Sequence, residues 1–194
     1  MHVSRKSDVL AVPVSLPIIL FMLLCAPVLA DNQKGIIIRH ANGLIVNGVY
    51  RVDAEIDYQL SEEATQALLH GVSLQMDIEF QVKMKRPWLW NKMIKESVLS
   101  YRLEHHPLSG NFLVTNLATG ERDQFQNLAG ALENLGKISN YPLVTEDRLQ
   151  PDKNYLVEIR ARLNKQALPA PLRPLAYLSS RWHVASPGYE WMMQ

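Results

Sequence analysis

The sequence predicts a mainly β protein, with a single antiparallel β-sandwich-like or curved-sheet domain and two short packed helices. The first observation is alternation, since apolar side chains occupy every second position over residues 50–60, 74–84 and 155–163. Successive side chains of a strand point to opposite faces, so each run has one apolar and one polar side. The second observation is that helical periodicity is confined to two short segments. Three long amphipathic strands over one core are typical of antiparallel sheet.

Turn residues divide the chain between these strands. The pairs Asn42-Gly43 and Asn47-Gly48 are strong turn signals. They predict a strand over 36–41 and a tight hairpin over 43–50 that leads into the first alternating run. Further along, turn residues at 107–110 and 118–121 predict a three-stranded meander, with strands at 96–106 and 111–117.

The first predicted helix starts after Ser61, which is a suitable N-cap followed by two acidic residues, and it ends at Gly71. We expect Leu68, Leu69 and Val72 to face the sheet.

The second predicted helix covers 127–136, where apolar residues recur at i, i+3, i+4 and i+7. The segment 169–194 is rich in proline, and the prolines at 169, 171 and 174 predict an extended course.

Residues 1–30 have the features of a secretory signal peptide. Basic Arg5 and Lys6 precede a long apolar stretch, and Val28-Leu29-Ala30 supplies the small residues of a cleavage site. The alternative is an uncleaved anchor, because residues 9–30 are long enough to span a bilayer core of ~30 Å. Both interpretations predict a periplasmic β-rich domain over residues 31–194, exported by the signal peptide or held at the inner membrane by the anchor.

Charge and cysteine content exclude several classes of function. The whole chain has 20 basic and 19 acidic residues, and removal of Arg5, Lys6 and Asp8 with the signal peptide makes the two counts equal. A balanced charge argues against nucleic-acid binding, which needs a basic surplus. The single cysteine, Cys25, falls in the signal peptide, so the exported domain has no disulfide and no thiolate ligand.

The sequence predicts no cofactor and no metal site. His105 and His106 are adjacent on a predicted strand and therefore point to opposite faces. Glu104 and His106 share a face, but two ligands are too few for zinc. A row of carboxylates on two strands would form a solvated acidic face or, alternatively, an acid/base or calcium site; its members are Asp53, Glu55, Asp57, Asp77 and Glu79.

A basic aromatic stretch, KRPWLWNKM, follows the second alternating run. Residues 31–81 contain three basic and eight acidic side chains, whereas residues 82–106 contain six basic and two acidic ones. Indoles partition to membrane interfaces, and Trp and Arg are favoured in binding hot spots. The predicted partner-binding residues are therefore Arg86, Trp88, Trp90, Lys92 and Trp182. Alternatively, Pro87 breaks the strand and the two indoles cover the open end of the core.

The chain resembles a family of secreted proteins of Gram-negative bacteria described as domain of unknown function 4390 (DUF4390). The resemblance rests on four blocks in order: YRVDAEIDYQLSEEATQALLHGVSLQMDIEF, RPWLWNK, VLSYRLEHHPLSGNFLVTN and LRPLAYLSSRWHV. It implies an envelope location and supplies no activity, cofactor or catalytic residue. Members of this family are often encoded beside a membrane sensor histidine kinase, which implies an associated signalling partner.

We therefore expect a non-enzymatic protein-interaction module of the periplasm. Its expected partner is an envelope or inner-membrane protein such as the sensor kinase, with peripheral membrane contact and no nucleic acid. No nucleophile motif is present, which argues against an enzyme. The alternatives are a carrier of a small apolar ligand between sheet and helices and, less favoured, a hydrolase whose site assembles only in three dimensions.

Overall fold

The computed structural model describes residues 35–182 and 184–193, so the predicted signal peptide and the alternative anchor lie outside the described residues. Within this part, two antiparallel sheets have the strand orders β1-β2-β7 and β6-β5-β4-β3-β8-β9. The strands are β1 Ile36–Val46, β2 Val49–Tyr58, β3 Leu74–Met84, β4 Lys92–His106, β5 Asn111–Asn116, β6 Arg122–Phe125, β7 Lys137–Thr145, β8 Tyr155–Leu163 and β9 Tyr189–Met192. The helices are α1 Glu62–Leu69, α2 Leu128–Gly136 and α3 Arg173–Leu178.

The mainly β prediction is confirmed, and the core lies between the two sheets. The alternating apolar residues of β2, β3 and β8 are buried, as their period of two requires. Side-chain contacts join the two sheets directly, and they include a hydrogen bond of 2.6 Å between the hydroxyls of Ser97 and Tyr141. The rings of Phe80 and Tyr141 stack with their centroids 4.8 Å apart, and the Trp191 indole N–H donates a hydrogen bond of 2.9 Å to the Tyr50 hydroxyl.

The first hairpin turns at only one of the two Asn-Gly pairs. Asn47 and Gly48 have φ values of 52° and 74°, and both central residues of a type I′ turn need positive φ. Strand β1 continues through Asn42-Gly43, so the predicted break there is wrong. The ring of Tyr50 lies directly over Gly43, where an added Cβ would be 2.7 Å from the ring. Gly43 therefore makes room for an aromatic ring instead of making a turn.

Both predicted helices are present, and the predicted N-cap of the first is confirmed. The Ser61 hydroxyl accepts a hydrogen bond of 3.2 Å from the N–H of Ala64 at the start of α1. At the start of α2 the side-chain oxygen of Asn127, Oδ1, accepts one of 2.8 Å from the N–H of Gly130, and this second N-cap was not predicted. The prediction that Leu69 faces the sheet is wrong, because Leu68 is buried while Leu69, one position further round the helix, is exposed.

The proline-rich tail is not extended throughout. It forms α3, with Pro174 in the first turn, where a missing N–H costs nothing because that group has no partner in the helix. The sequence also did not predict β7, whose pairing with β2 is interrupted by two register shifts. Asn140 of β7 has a φ of 55°, so alternation is lost there.

The predicted row of five carboxylates does not exist. Those of β2 and those of β3 lie in different sheets. Asp57 pairs with Arg39 at 2.6 Å, and Glu79 pairs with Arg162. Asp77 is buried and accepts hydrogen bonds from three uncharged side chains, those of Gln75, Ser100 and Asn164. Each of these three carboxylates therefore links neighbouring strands within one sheet.

The contact between α2 and β2 yields a test of the packing. A Cβ added at Gly136 would overlap the carbonyl oxygen of Ile56, a backbone atom that cannot rotate away. We expect Gly136→Ala to lower the free energy of unfolding by at least about 2 kcal/mol, measured by urea denaturation.

Gly130→Ala is the matched control in the same helix, because its nearest neighbour is the Asn127 side chain at 3.4 Å. Helix propensity favours alanine, so this variant should be as stable as the parent or more stable by up to about 1 kcal/mol. Equal losses in the two variants would contradict the proposed close packing of α2 on β2.

Candidate functional site

The candidate site is the loop that joins β3 to β4, and we call residues 85–92 the tip. Pairing of the two strands ends at Met84 and Lys92, and the side chains of residues 85–92 are all exposed. The backbone N–H of Lys85 donates a hydrogen bond of 2.9 Å to the carbonyl oxygen of Asn154. The base of the tip is thus attached to the segment that precedes β8.

The chain turns sharply within the tip. Pro87 is followed by Trp88, which has a φ of 67°. Proline at the second position and positive φ at the third are typical of a type II turn. A tryptophan in this left-handed region costs about 1–2 kcal/mol relative to ordinary backbone. The fold therefore tolerates a strained residue where it presents an indole to solvent.

The tip exposes three consecutive large apolar side chains. Their relative exposures are 101% for Trp88, 66% for Leu89 and 79% for Trp90. The alternative that the two indoles cover the open end of the core is therefore wrong. Trp88 and Trp90 occupy the even-numbered positions that are buried in β3. The turn at Pro87 ends this alternation before the tryptophans are reached. Pro87 marks this turn in the sequence, whereas the positive φ of Trp88 is a feature of the folded backbone.

The cations of the tip have no acidic partner. Lys85, Arg86 and Lys92 are exposed, and none of them makes an ion pair within residues 35–182 and 184–193. No acidic residue lies in the tip itself. Three uncompensated positive charges therefore flank three exposed apolar side chains.

Lys83, just before the tip, is different because it pairs with Glu158. Glu158 of β8 is buried and pairs with both Lys83 and Arg160. Burial disfavours the charged carboxylate and acts to raise its pKa, but the hydrogen bonds and charges of Lys83 and Arg160 outweigh this effect. The pKa of Glu158 is therefore lowered below its usual value. This ion pair fastens the end of β3 to β8 at the root of the tip.

Trp182 does not belong to this surface, contrary to the sequence prediction. Its relative exposure is 7%, and it lies among the buried residues of the core. The neighbouring Arg181 pairs with Glu63 of α1 at 3.0 Å. Helix α1 in turn contacts the His105 end of β4 through the Leu69 carbonyl. Trp182 is therefore a core residue near the end of β4 opposite the tip.

The described hydrogen bonds of the histidine side chains go to the backbone. The Nδ1 atoms of His70 and His105 contact backbone carbonyl oxygens at 2.7 and 3.1 Å, not carboxylates or hydroxyls. Within residues 35–182 and 184–193, no three His, Asp, Glu or Cys side chains are grouped so that they could hold a metal ion.

A cleft of about 380 Å³ lies between β1, β2 and α2. Its lining includes charged side chains that an apolar ligand would leave desolvated, namely Arg39, Glu55, Asp57, Glu133 and Lys137. It gives no support to the apolar-carrier alternative.

The described part of the chain contains no helix of the length and apolarity that a membrane crossing needs. In a comparison with known families, the chain matches the model described as "Domain of unknown function (DUF4390)" over residues 33–192. No curated protein and no solved structure matches the chain.

The strain at Trp88 can be tested by comparing two substitutions. Trp88→Gly and Trp88→Ala both remove a fully exposed indole, so neither loses core packing. Glycine adopts positive φ without a Cβ penalty, and we expect the glycine variant to be about 1 kcal/mol more stable than the alanine variant in urea denaturation. Equal stability of the two variants would mean that the turn relaxes when the indole is removed.

The lowered pKa of Glu158 predicts a pH-dependent contribution to stability. A lowered pKa in the folded state stabilises the fold above the unfolded-state value of about 4.3, and that stabilisation is lost as pH falls through the folded-state pKa. We expect Glu158→Gln to lower the free energy of unfolding at pH 7 by about 1–3 kcal/mol. The deficit should shrink as pH falls below about 4.3, where the carboxylate of the unfolded parent takes up a proton, and it should be smallest once pH has passed the folded-state pKa.

Glu133→Gln is the control for Glu158→Gln, because Glu133 pairs with Lys137 on the exposed surface of α2. Its urea midpoint should match that of the parent at every pH. A deficit for Glu158→Gln that stays constant from pH 7 to acid would contradict the ionic role of Glu158.

Proposed function

The chain belongs to the DUF4390 family, and from the geometry of its tip we propose that it is a non-enzymatic interaction module of the bacterial envelope. The observation that carries this proposal is the exposure of Trp88 and Trp90 on a loop that joins two strands of the six-stranded sheet. Soluble domains rarely expose contiguous large apolar side chains, and such patches usually mark interaction surfaces.

The proposed location is the periplasm. It rests on the signal-peptide features of residues 1–30, and an anchor over residues 9–30 would hold the domain at the inner membrane instead. The proposed protein partner is an envelope or inner-membrane protein, for which the family resemblance suggests the sensor histidine kinase. A docking surface at the end of the domain suits both a free periplasmic protein and one anchored at the inner membrane, because a partner can reach it without any change in the fold.

The energetics of the tip favour binding. Burying a large apolar side chain contributes about 1.5–3 kcal/mol, and tryptophan and arginine are among the residues that dominate binding energies. The exposed Trp88, Leu89 and Trp90 make this contribution available to a partner. The left-handed φ of Trp88 supports the same conclusion, because strain of this kind tends to persist where function requires it.

A non-enzymatic role fits the polar groups of the domain. The buried carboxylates of Asp77 and Glu158 are each occupied by hydrogen bonds within the sheet. The described contacts of His70 and His105 are to backbone carbonyls. These described hydrogen bonds contribute to the fold, and none of them pairs a histidine with a hydroxyl or a carboxylate.

Photo-crosslinking in living cells tests this proposal. A photoreactive amino acid at position 88 or 90 should give specific crosslinks to an envelope component, identified by mass spectrometry. Position 108 is the matched control, since Leu108 has a relative exposure of 106% and lies in the turn at the other end of β4.

Crosslinks from positions 88 and 90 that are absent at position 108 would support the tip as the docking surface. The same products from all three positions, or none from the tip, would contradict it.

A further inference from the structure

We infer that the tip inserts into the headgroup region of an anionic lipid bilayer, an inference that rests on the proposed docking function. Three features of the tip point to this partner: its shape, its side-chain chemistry and its unpaired charge. Each follows from residues 85–92 and their attachment to β3 and β8.

The shape of the tip is that of a projecting loop. Every residue from 85 to 92 is exposed, and the pairing of β3 with β4 ends immediately beneath them. A protein partner would need a cavity that admits the side chains of Trp88, Leu89 and Trp90 together. A lipid interface needs no preformed cavity, because the headgroups move aside around an inserted loop.

The side-chain chemistry matches the interface between water and hydrocarbon. Indoles are enriched at that depth because their ring is apolar and their N–H remains hydrated. Leu89 between the two indoles adds an aliphatic group that favours the acyl region. Apart from Asn91, the tip carries no neutral hydrogen-bonding amide or hydroxyl side chain.

The charge of the tip selects anionic lipid. Lys85, Arg86 and Lys92 make no ion pair within the described part of the chain, so their charges are available to phosphate groups. Each basic residue close to an anionic membrane strengthens binding about fivefold. Lys83 is excluded from this set because it already pairs with Glu158.

The attachment of the tip reduces the entropic cost of insertion. Strand β3 is paired with β4 on one edge and with β8 on the other. The Lys85 N–H is held by the Asn154 carbonyl, and Pro87 has a fixed φ. A loop already held in its binding conformation loses little freedom when it binds.

Vesicle binding provides the test. The exported chain is purified from cells, its N-terminus is read by mass spectrometry, and it is mixed with phosphatidylcholine vesicles with or without phosphatidylglycerol. We expect partition into the phosphatidylglycerol vesicles, with Trp88 and Trp90 fluorescence quenched by brominated lipid. Trp88→Phe with Trp90→Phe reports the background from Trp182 and Trp191, which are buried or half-buried.

Two variants separate the contributions of the tip. Replacing Lys85, Arg86 and Lys92 together by Gln should weaken binding to phosphatidylglycerol vesicles about a hundredfold. Replacing Trp88 and Trp90 by Ala should weaken it at least about tenfold. Leu108→Ala is the control, because it removes a similarly exposed apolar side chain without neighbouring lysines or arginines, and it should bind like the parent.

The outcomes distinguish this inference from the proposed function. Binding that the tip variants lose supports lipid insertion. Binding that all variants share overturns it, because another segment then carries the affinity. No vesicle binding, combined with capture of one envelope protein from positions 88 and 90, overturns lipid insertion and supports the docking function. Failure of both experiments overturns both proposals.

Discussion

Strand β3 is the element on which the rest of the domain depends, because it is fixed on three sides. It pairs with β4 along one edge and with β8 along the other. Its inner face supplies a continuous row of buried side chains to the core: Leu74, Met76, Ile78, Phe80, Val82 and Met84. A strand held in this way cannot shift register without moving its whole apolar set to the solvent face. The positions of both of its ends are therefore defined by the core.

Contacts at the C-terminal end of β3 explain how the domain holds an apolar loop in solvent. Lys83, Glu158 and Arg160 form an ion-pair cluster beside the last residues of the strand. Beyond it, the Lys85 backbone bonds to Asn154. These contacts hold the base of the tip while the type II turn directs Trp88 outward. The well-packed sheet thus offsets the free-energy cost of exposing an indole on strained backbone. Burial of that indole against a binding partner would remove the exposure part of this cost.

Several elements could be predicted from the sequence because their signals are local. Alternation over 50–60, 74–84 and 155–163 placed β2, β3 and β8, since each strand has one buried face. Ser61 marked the start of the first helix because an N-cap side chain bonds within its own first turn. The wrong predictions also have physical causes. Asn42-Gly43 has the sequence of a turn, but Gly43 is needed because the ring of Tyr50 lies over it. That contact forms between two paired strands, so turn preferences of neighbouring residues do not predict it.

The sequence by itself determined the composition of the tip: two tryptophans and a leucine among three basic residues, next to a proline and without an acidic neighbour. Only the tertiary structure decided that the indoles of the tip face solvent and that Trp182 is buried. The reason is that a side chain's exposure depends on what packs over it. Within the described residues nothing packs over Trp88 and Trp90, because the turn lies beyond the last paired residues of β3 and β4. For Trp182, the surrounding core residues supply the cover.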